Sequence, residues 1–277
     1  MPPFGLIAGN GTFPFLVLKA ARQMGHDVTI VAVEGEASPA IEQVARDLGG
    51  TSVNWIQLGK LGACIAAFKG AGVTEAVMAG QVKHVKLFTD VMPDLTMLSA
   101  LSRLRSKNTD ALISAIADVL LKHGITLKDS TAFLGDLLAS TGPMTTAQPS
   151  AAMQADFHFG YSVADAIAGM DVGQTIVVKD RAVVAVEAME GTDAILRRAH
   201  ELTGGKPQLL VKSSRRRKHL LFDVPVLGPA TMEVMRETNT VAATMDAGRT
   251  LLLDRDEMLE KANRYGISLT GIPVASD

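Results

Sequence analysis

Over its first 130 residues this 277-residue chain alternates short β-rich runs with helical patterns, and this rhythm constrains its fold most. Strands are predicted at 4–8, 28–33, 52–56 and 76–79, and helices near 14–24, 38–47, 59–69 and 109–122. Strands separated by helices of this length form βαβ units, whose strands lie parallel in one sheet. The pattern therefore predicts a Rossmann-like α/β domain over residues 1–135.

The segment 128–150 interrupts this rhythm with a cluster of Thr, Ser, Gly and Pro, which is typical of a connection between domains. Beyond it, strands are predicted near 174–178, 182–187, 208–212, 240–244 and 250–253, and helices near 152–169, 193–203, 229–237 and 255–265. We predict a second α/β domain over residues 136–277, with a substrate site between the two domains.

Composition excludes several classes of protein. The formal net charge of −2 gives no general attraction to nucleic acid. The single cysteine, Cys64, excludes an internal disulfide, and its apolar helical surroundings predict a buried structural thiol rather than a nucleophile. No apolar stretch reaches the ~18 residues needed to span a bilayer, and the N-terminus lacks the basic region of a signal peptide. We expect a cytoplasmic protein without a nucleic-acid partner.

The first predicted strand leads into Gly9-Asn10-Gly11 and then into a helix that opens at Pro14. Glycines here let backbone N–H groups approach a phosphate at the positive end of the helix. Glu34 follows the second strand, where dinucleotide-binding folds place a ribose-binding acid, but Pro14 replaces the third glycine of their fingerprint. Three interpretations stay open: a nicotinamide cofactor, another nucleotide or phosphate, and a tight turn without a ligand.

Two further stretches contribute candidate ligand-binding residues. Gly80 and Gln81 follow the fourth predicted strand, at the carboxyl edge where open α/β sheets bind ligands. Asp110 lies in "KNTDALI", in the first turn of the predicted helix 109–122, where it also suits the helix dipole. Each stretch can also be explained without a ligand. The first would then be a solvated loop and the second a helix cap.

The stretch "EAMEGTDAILRRAH", residues 187–200, gathers three carboxylates and two arginines at the start of a predicted helix. Thr192 is expected as its N-cap, with Asp193 in the first turn and Arg197 four residues further on. Glu187, Glu190 and Arg198 are not explained by capping. Crowded carboxylates repel unless a cation lies between them, and Mg²⁺ bound to carboxylates and substrate phosphates would relieve that repulsion.

The third charged feature is "VKSSRRRKHLLFDVPVLGPATME", residues 211–233. Lys212 ends a predicted strand and the cationic run 215–218 follows it, as in many solvated loops. Asp223 then stands alone between Phe222 and Val224. It is either a turn former before a proline or a placed functional group.

In this order along the chain, "GLIAGNGTFP", "MAGQV", "DVGQTIVV", "AVEAMEGTDAILRRA", "LLVK" and "FDVPVLGPATME" resemble the LpxI-type UDP-2,3-diacylglucosamine pyrophosphatases of lipid A biosynthesis. The similarity covers nearly the whole length. It implies hydrolysis of UDP-2,3-diacylglucosamine to UMP and 2,3-diacylglucosamine 1-phosphate (lipid X), with Mg²⁺ and with water attacking the phosphorus on the glucosamine side. The sequence departs from the family pattern in "RRRKHLLFD", where the usual glutamine and arginine are replaced.

The resemblance also implies residue roles. It makes Asp223 the catalytic residue. It also makes Asp223, Asp193 and Glu190 the ligands of the metal ion. With the loops above, the residues expected to bind substrate are Gly9, Asn10, Gly11, Gly80, Gln81, Asp110, Gln174, Thr192, Arg198 and Lys212.

The resemblance implies peripheral attachment to the cytoplasmic face of the inner membrane, and it leaves a homodimer open. Two rival functions remain at this stage. One is a nicotinamide-dependent oxidoreductase that uses the N-terminal glycine turn, and the other is a non-catalytic UDP-lipid binding protein that uses the cationic run 215–218.

Overall fold

A computed structural model describes residues 2–80, 82, 92–102, 104, 109–170, 172–214 and 224–274, with backbone only at 109 and 110. Gln81, the cationic run 215–218 and Asp223 therefore lie outside the described residues, as does the side chain of Asp110. The chain divides into two compact units, the first ending at Leu134 and the second beginning at Gly135. Both combine helices with a sheet, which confirms the predicted α/β class.

The first unit is built on a parallel sheet whose described strands have the order β3-β2-β1-β4-β5. Its elements in chain order are β1 (Phe4–Ala8), α1 (Phe13–Gln23), β2 (Val28–Val33), α2 (Ala40–Asp47), β3 (Val53–Ile56), α3 (Leu61–Gly70), β4 (Glu75–Ala79), α4 (Leu95–Leu101), α5 (Thr109–Lys122) and β5 (Thr126–Leu127). Ala8 lies opposite Ala32 and Ala79. The carboxyl ends of β1, β2 and β4 therefore meet at one edge.

The central strands of this unit are buried because helices cover both faces of a parallel sheet. Every residue of β1 and β2 is buried, as their continuous apolar runs require. Cys64 lies on α3 within this core and is 2% exposed. The sequence interpretation of Cys64 as a buried thiol is therefore confirmed.

Cys64 is expected to be inert in the folded protein. Burial raises the pKa of its thiol to about 12, so at pH 8 only about one molecule in 10⁴ carries the reactive thiolate. Ellman's reagent should label the native protein only as fast as it opens, and should label it fully within seconds in denaturant. Stoichiometric labelling of the native protein within seconds would contradict this burial.

The second unit carries a mixed sheet with the strand order β6-β13-β11-β9-β7-β8. Its elements are a 3₁₀ turn (Gly135–Leu137), β6 (Gly142–Pro143), α6 (Ala151–Gly169), β7 (Thr175–Lys179), β8 (Ala182–Val186), α7 (Thr192–Leu202), β9 (Gln208–Lys212), β10 (Val226–Leu227), α8 (Pro229–Glu237), β11 (Thr240–Asp246), β12 (Leu251–Leu252), α9 (Arg255–Arg264) and β13 (Ser268–Ile272). Strands β9, β11 and β13 are parallel, and β7 runs antiparallel to β8 and β9. Strand β8 therefore points the same way as β9.

The structure corrects four expectations about the elements of the two units. Strand β13 and helix α4 were not predicted, and β11 continues to Asp246 rather than ending at 244. The segment 128–150 is not only a connection, since Gly142–Pro143 forms an antiparallel edge strand on β13. No helix within the described ranges is long and apolar enough to cross a membrane.

Candidate functional site

Polar side chains of the second unit gather at the edge where β8, β9 and β11 end. Lys212, the last residue of β9, lies opposite Thr175 on β7 and Met245 on β11. Glu187 directly follows β8 and is buried. Ligands of open α/β sheets bind at the carboxyl ends of the strands. This edge is therefore the candidate site of the second unit.

The Lys212 ammonium is the central group of this edge, because it is charged and its residue is only 4% exposed. Its Nζ donates to the Oγ1 atoms of Thr175 and Thr192, each at 2.9 Å, and lies 4.0 Å from Glu187 Oε2. Thr192 in turn donates to Glu187 Oε1 at 2.8 Å. A buried charge is tolerated only with partners of this kind, so the four side chains form one cluster.

The position of Thr192 differs from the one expected. Helix α7 has Gly191 as its N-cap, without a side-chain hydrogen bond, and Thr192 is its first residue. The Thr192 hydroxyl is used by Lys212 and Glu187 rather than by the helix backbone. Gly191 takes φ +85° and ψ 164°, a conformation essentially restricted to glycine. The glycine therefore sets the angle at which α7 presents Thr192 to the cluster.

Replacing Gly191 by alanine is expected to lower the free energy of unfolding by about 1–3 kcal/mol, the cost of a side chain in this backbone region. A Cβ there would meet no atom of the described residues within 4 Å, so the expected loss comes from backbone strain. Gly169→Ala is the matched control, because Gly169 ends helix α6 with equally open surroundings. Urea unfolding measures the free energy of unfolding of both variants. Equal values for Gly191→Ala and Gly169→Ala would contradict the assigned role of Gly191.

The remaining charges of the 187–200 stretch are used locally. Arg198 donates from Nη2 to the Val186 carbonyl at 2.9 Å and to Glu190 Oε1 at 2.7 Å, which ties the loop after β8 to α7. Backbone N–H groups at Glu190 and Ala188, and then Arg198, lower the pKa of the Glu190 carboxyl. Glu190 therefore stays ionised at neutral pH.

Asp193 and Arg197 have the i,i+4 spacing of a helical ion pair but do not pair with each other. Arg197 Nη1 binds Glu237 Oε2 on α8 at 2.6 Å instead, and Asp193 is exposed in the first turn of α7. An acidic residue there is favoured by the helix dipole without any partner. Arg197 therefore links α7 to α8 and takes no part in the candidate site.

The carboxylates described here do not by themselves make a metal cage. Within the described ranges, no group of three or more His, Cys, Asp or Glu side chains could hold a metal ion. Glu187 accepts a hydrogen bond from Thr192, and Glu190 is paired with Arg198. Mg²⁺ needs only one or two protein carboxylates when phosphate oxygens complete its shell. Assignment of the ion to Asp223, Asp193 and Glu190 stays a prediction.

Gln174 lies at the same edge of the second unit. Its carbonyl accepts the Ser213 N–H at 2.8 Å, so the backbone that follows Lys212 is bound to the start of β7. Sequence reasoning named Lys212, Thr192 and Gln174 but assigned no role to Thr175. The signal for Thr175 was present in "GQTIVV", where a polar residue opens an otherwise apolar strand.

In the first unit, the glycine turn follows β1 as expected. The Gly9 N–H donates to the Ala79 carbonyl at 2.8 Å, and the Gly11 N–H donates to the Asn10 side chain at 2.7 Å. A Cβ on Gly80 would overlap the Asn10 carbonyl and lie 2.9 Å from the Gly9 carbonyl carbon. Close approach between the ends of β1 and β4 thus requires glycine at position 80, whether or not a ligand binds there.

Beside this turn lies an open depression of about 670 Å³, lined by Asn10, Glu34 and Trp55 among others. The Trp55 indole donates to Glu42 Oε1 at 2.6 Å. Three glutamates, at 34, 36 and 42, line the depression. Their negative charge disfavours a phosphate at that spot. The Glu34 carboxylate can instead accept a hydrogen bond from a ribose hydroxyl.

Together these features define an α/β protein whose second unit presents a buried ammonium group and threonine hydroxyls at the carboxyl edge of its sheet. An arrangement of this type suits an anionic ligand such as a phosphate. Two family descriptions match the chain: LpxI N-terminal domain over residues 3–137 and LpxI C-terminal domain over residues 140–270. The chain therefore belongs to the LpxI family.

A curated relative and a solved structure complete the comparison. The UDP-2,3-diacylglucosamine pyrophosphatase LpxI of Caulobacter vibrioides is 28% identical to this chain, over 98% of each protein. The crystal structure of gox2253 covers 99% of this chain and 78% of its own, at 11% identity and a TM-score of 0.36. A similarity at that level says nothing about function. The oxidoreductase and the non-catalytic binding protein are not favoured by these findings.

Proposed function

We propose that the protein hydrolyses the pyrophosphate bond of UDP-2,3-diacylglucosamine, giving UMP and 2,3-diacylglucosamine 1-phosphate. The family of the chain and the activity of its Caulobacter relative support this function. The observation that carries it is the buried Lys212 ammonium, held by Thr175 and Thr192 at the carboxyl edge of the second sheet. A diacylated UDP-sugar brings two phosphates to such a group.

Lys212 serves the reaction by neutralising negative charge on the phosphate oxygens. Its ammonium group is already oriented by two threonine hydroxyls, so little reorganisation is needed when charge develops in the transition state. The Glu187 carboxylate, 4.0 Å from Nζ, supplies a counter-charge to the ammonium group. Thr192, which bonds to both groups, holds them in a fixed relation.

Asp223 is the proposed general base, which positions or deprotonates the attacking water. Mg²⁺ supplies Lewis-acid stabilisation of the phosphate oxygens when it is bound. Asp223, Asp193 and Glu190 are the proposed protein ligands. Of the two that are described, Asp193 is exposed and Glu190 already neutralises Arg198. Asp223 is therefore the main proposed protein ligand of Mg²⁺.

The acyl chains of the substrate place the reaction at a membrane, and we propose that the protein binds the cytoplasmic face of the inner membrane from outside the bilayer. Met92, three residues before α4, is 84% exposed, and Leu95, the first residue of α4, is 85% exposed. Apolar side chains that are exposed close together can mark a surface for contact with a membrane. Cosedimentation with phospholipid vesicles tests this attachment.

The test of the reaction is product analysis with the purified protein, UDP-2,3-diacylglucosamine in detergent micelles, and Mg²⁺. We expect UMP and the lipid 1-phosphate in a 1:1 ratio, and loss of both in EDTA. UDP-glucose, which lacks the acyl chains, should be cleaved poorly. Substrate binding without turnover would favour the UDP-lipid binding protein, and protection from heat by NADPH would favour the oxidoreductase.

A further inference from the structure

A second buried acid lies at the same sheet edge, one strand away from Lys212. Asp246 is the last residue of β11 and is 1% exposed. It neighbours Ser213, because Lys212 lies opposite Met245 on the preceding rung of the sheet. A buried carboxylate is expensive to desolvate, so its partners indicate what it is retained for.

The two oxygens of Asp246 have different partners. Oδ1 accepts the Tyr161 hydroxyl of α6 at 2.6 Å. Oδ2 accepts the Ser214 N–H and the Ser214 hydroxyl, both at 2.6 Å, and the Ser213 hydroxyl at 3.3 Å. Three bonds to Oδ2 occupy the capacity of that oxygen. The carboxylate is therefore held between Tyr161 of α6 and the two residues that follow Lys212.

Tyr161 is suited to a permanent donor role. Burial, and then its hydrogen bond to Asp246, raise the pKa of its phenol well above the ordinary value. The hydroxyl thus stays protonated at any physiological pH and fixes Oδ1 against α6. Oδ2 is thereby directed at Ser213 and Ser214, both of which are buried.

The chain that leaves β9 is consequently held on two sides. The Ser213 N–H binds the Gln174 carbonyl at 2.8 Å, and the Ser214 N–H binds Asp246 at 2.6 Å. Lys212 immediately precedes these two serines, and Asp223 follows them nine residues after Ser214 in the sequence. Lys212, the residue proposed to neutralise the phosphates, is therefore followed directly by backbone that Asp246 and Gln174 fix.

We propose that Asp246 is a positioning residue, which fixes the backbone at Ser213–Ser214 and so holds the adjacent Lys212 in place at the sheet edge. It touches no substrate and acts through the chain after Lys212. This inference rests on the proposed pyrophosphatase function for its kinetic consequence, but its structural consequence holds without turnover.

Two variants test the proposal. Asp246→Ala removes the acceptor and is expected to lower kcat about 100-fold, while Ser214→Ala removes one hydroxyl and should lower kcat about tenfold, as displaced reacting groups do. KM should stay within about twofold in both, because misplacement acts on the transition state. Ser268→Ala is the matched control, since Ser268 is a buried serine of β13 whose hydroxyl has no hydrogen-bond partner among the described residues.

Hydrogen exchange measured by mass spectrometry gives a readout that does not need activity. In Asp246→Ala, or in Ser214→Ala if the first variant does not fold, peptides that contain residue 214 should exchange faster while peptides from β11 do not. A lower melting temperature with unchanged kcat and unchanged exchange at 214 would overturn the proposal. Absence of UMP release by the wild-type protein would refute the pyrophosphatase function alone, and the exchange result would still decide the role of Asp246.

Discussion

Lys212→Met is expected to lower kcat/KM about 10²–10³-fold, the size of effect seen when one preorganised charge-stabilising donor is removed. Methionine fills the space of the lysine stem but cannot neutralise a phosphate. The hydroxyls of Thr175 and Thr192 would lose their shared donor, which is 2.9 Å from each. Steady-state rates of UMP release measure the loss.

The control for this variant is Lys179→Met, at the opposite end of β7, where the lysine pairs with the exposed Asp180 at 3.0 Å. It removes the same charge from the same sheet and should leave kcat/KM unchanged within about twofold, as for most surface substitutions. Full activity of Lys212→Met would show that the buried ammonium is structural. Rates must be compared below the melting temperature of each variant, because the change at position 212 leaves Glu187 without its counter-charge.

Asp223→Asn is expected to lower kcat about 10³–10⁴-fold, since it removes the proposed general base and a proposed Mg²⁺ ligand. Asparagine has the shape of aspartate, so the fold should be retained and substrate should still bind. The Kd of UDP-2,3-diacylglucosamine, measured by calorimetry, should therefore change far less than kcat.

Asp180→Asn serves as the matched control, because it makes the same chemical change at a side chain that is 84% exposed. It should behave as the wild-type protein. Retention of more than about a tenth of the wild-type kcat by Asp223→Asn would exclude a general-base role.

The strands of both sheets could be predicted well from sequence where they are continuous apolar runs. The bounds of β1, β2 and β9 agree with the structure because "FGLIA", "VTIVAV" and "QLLVK" are each followed by a turn or loop. Strand β13, "SLTGI", mixes polar and apolar residues instead of forming a continuous apolar run, and its place in the sheet comes from pairing with β6 and β11. Tertiary pairing of this kind leaves no local signal.

The candidate site was predictable in part for the same reason. Lys212 and the 187–200 stretch were visible as charges after apolar strands. Thr192 was misread as a cap, because only the backbone shows that Gly191 takes that place. Asp246 was missed because the predicted strand stopped two residues short of it. Its partners Tyr161 and Ser214 are 85 and 32 residues away in sequence, and no spacing rule connects them.

One measurement tests the central claim most directly: reaction of UDP-2,3-diacylglucosamine with the protein and Mg²⁺ in ¹⁸O-labelled water, with both products analysed by mass spectrometry. Hydrolysis of the pyrophosphate bond predicts one ¹⁸O atom per turnover, carried by the phosphate of 2,3-diacylglucosamine 1-phosphate and absent from UMP. Label in UMP would show that water attacks the phosphorus on the uridine side instead. Formation of no labelled product by the folded protein would contradict the claim that this chain is a pyrophosphatase.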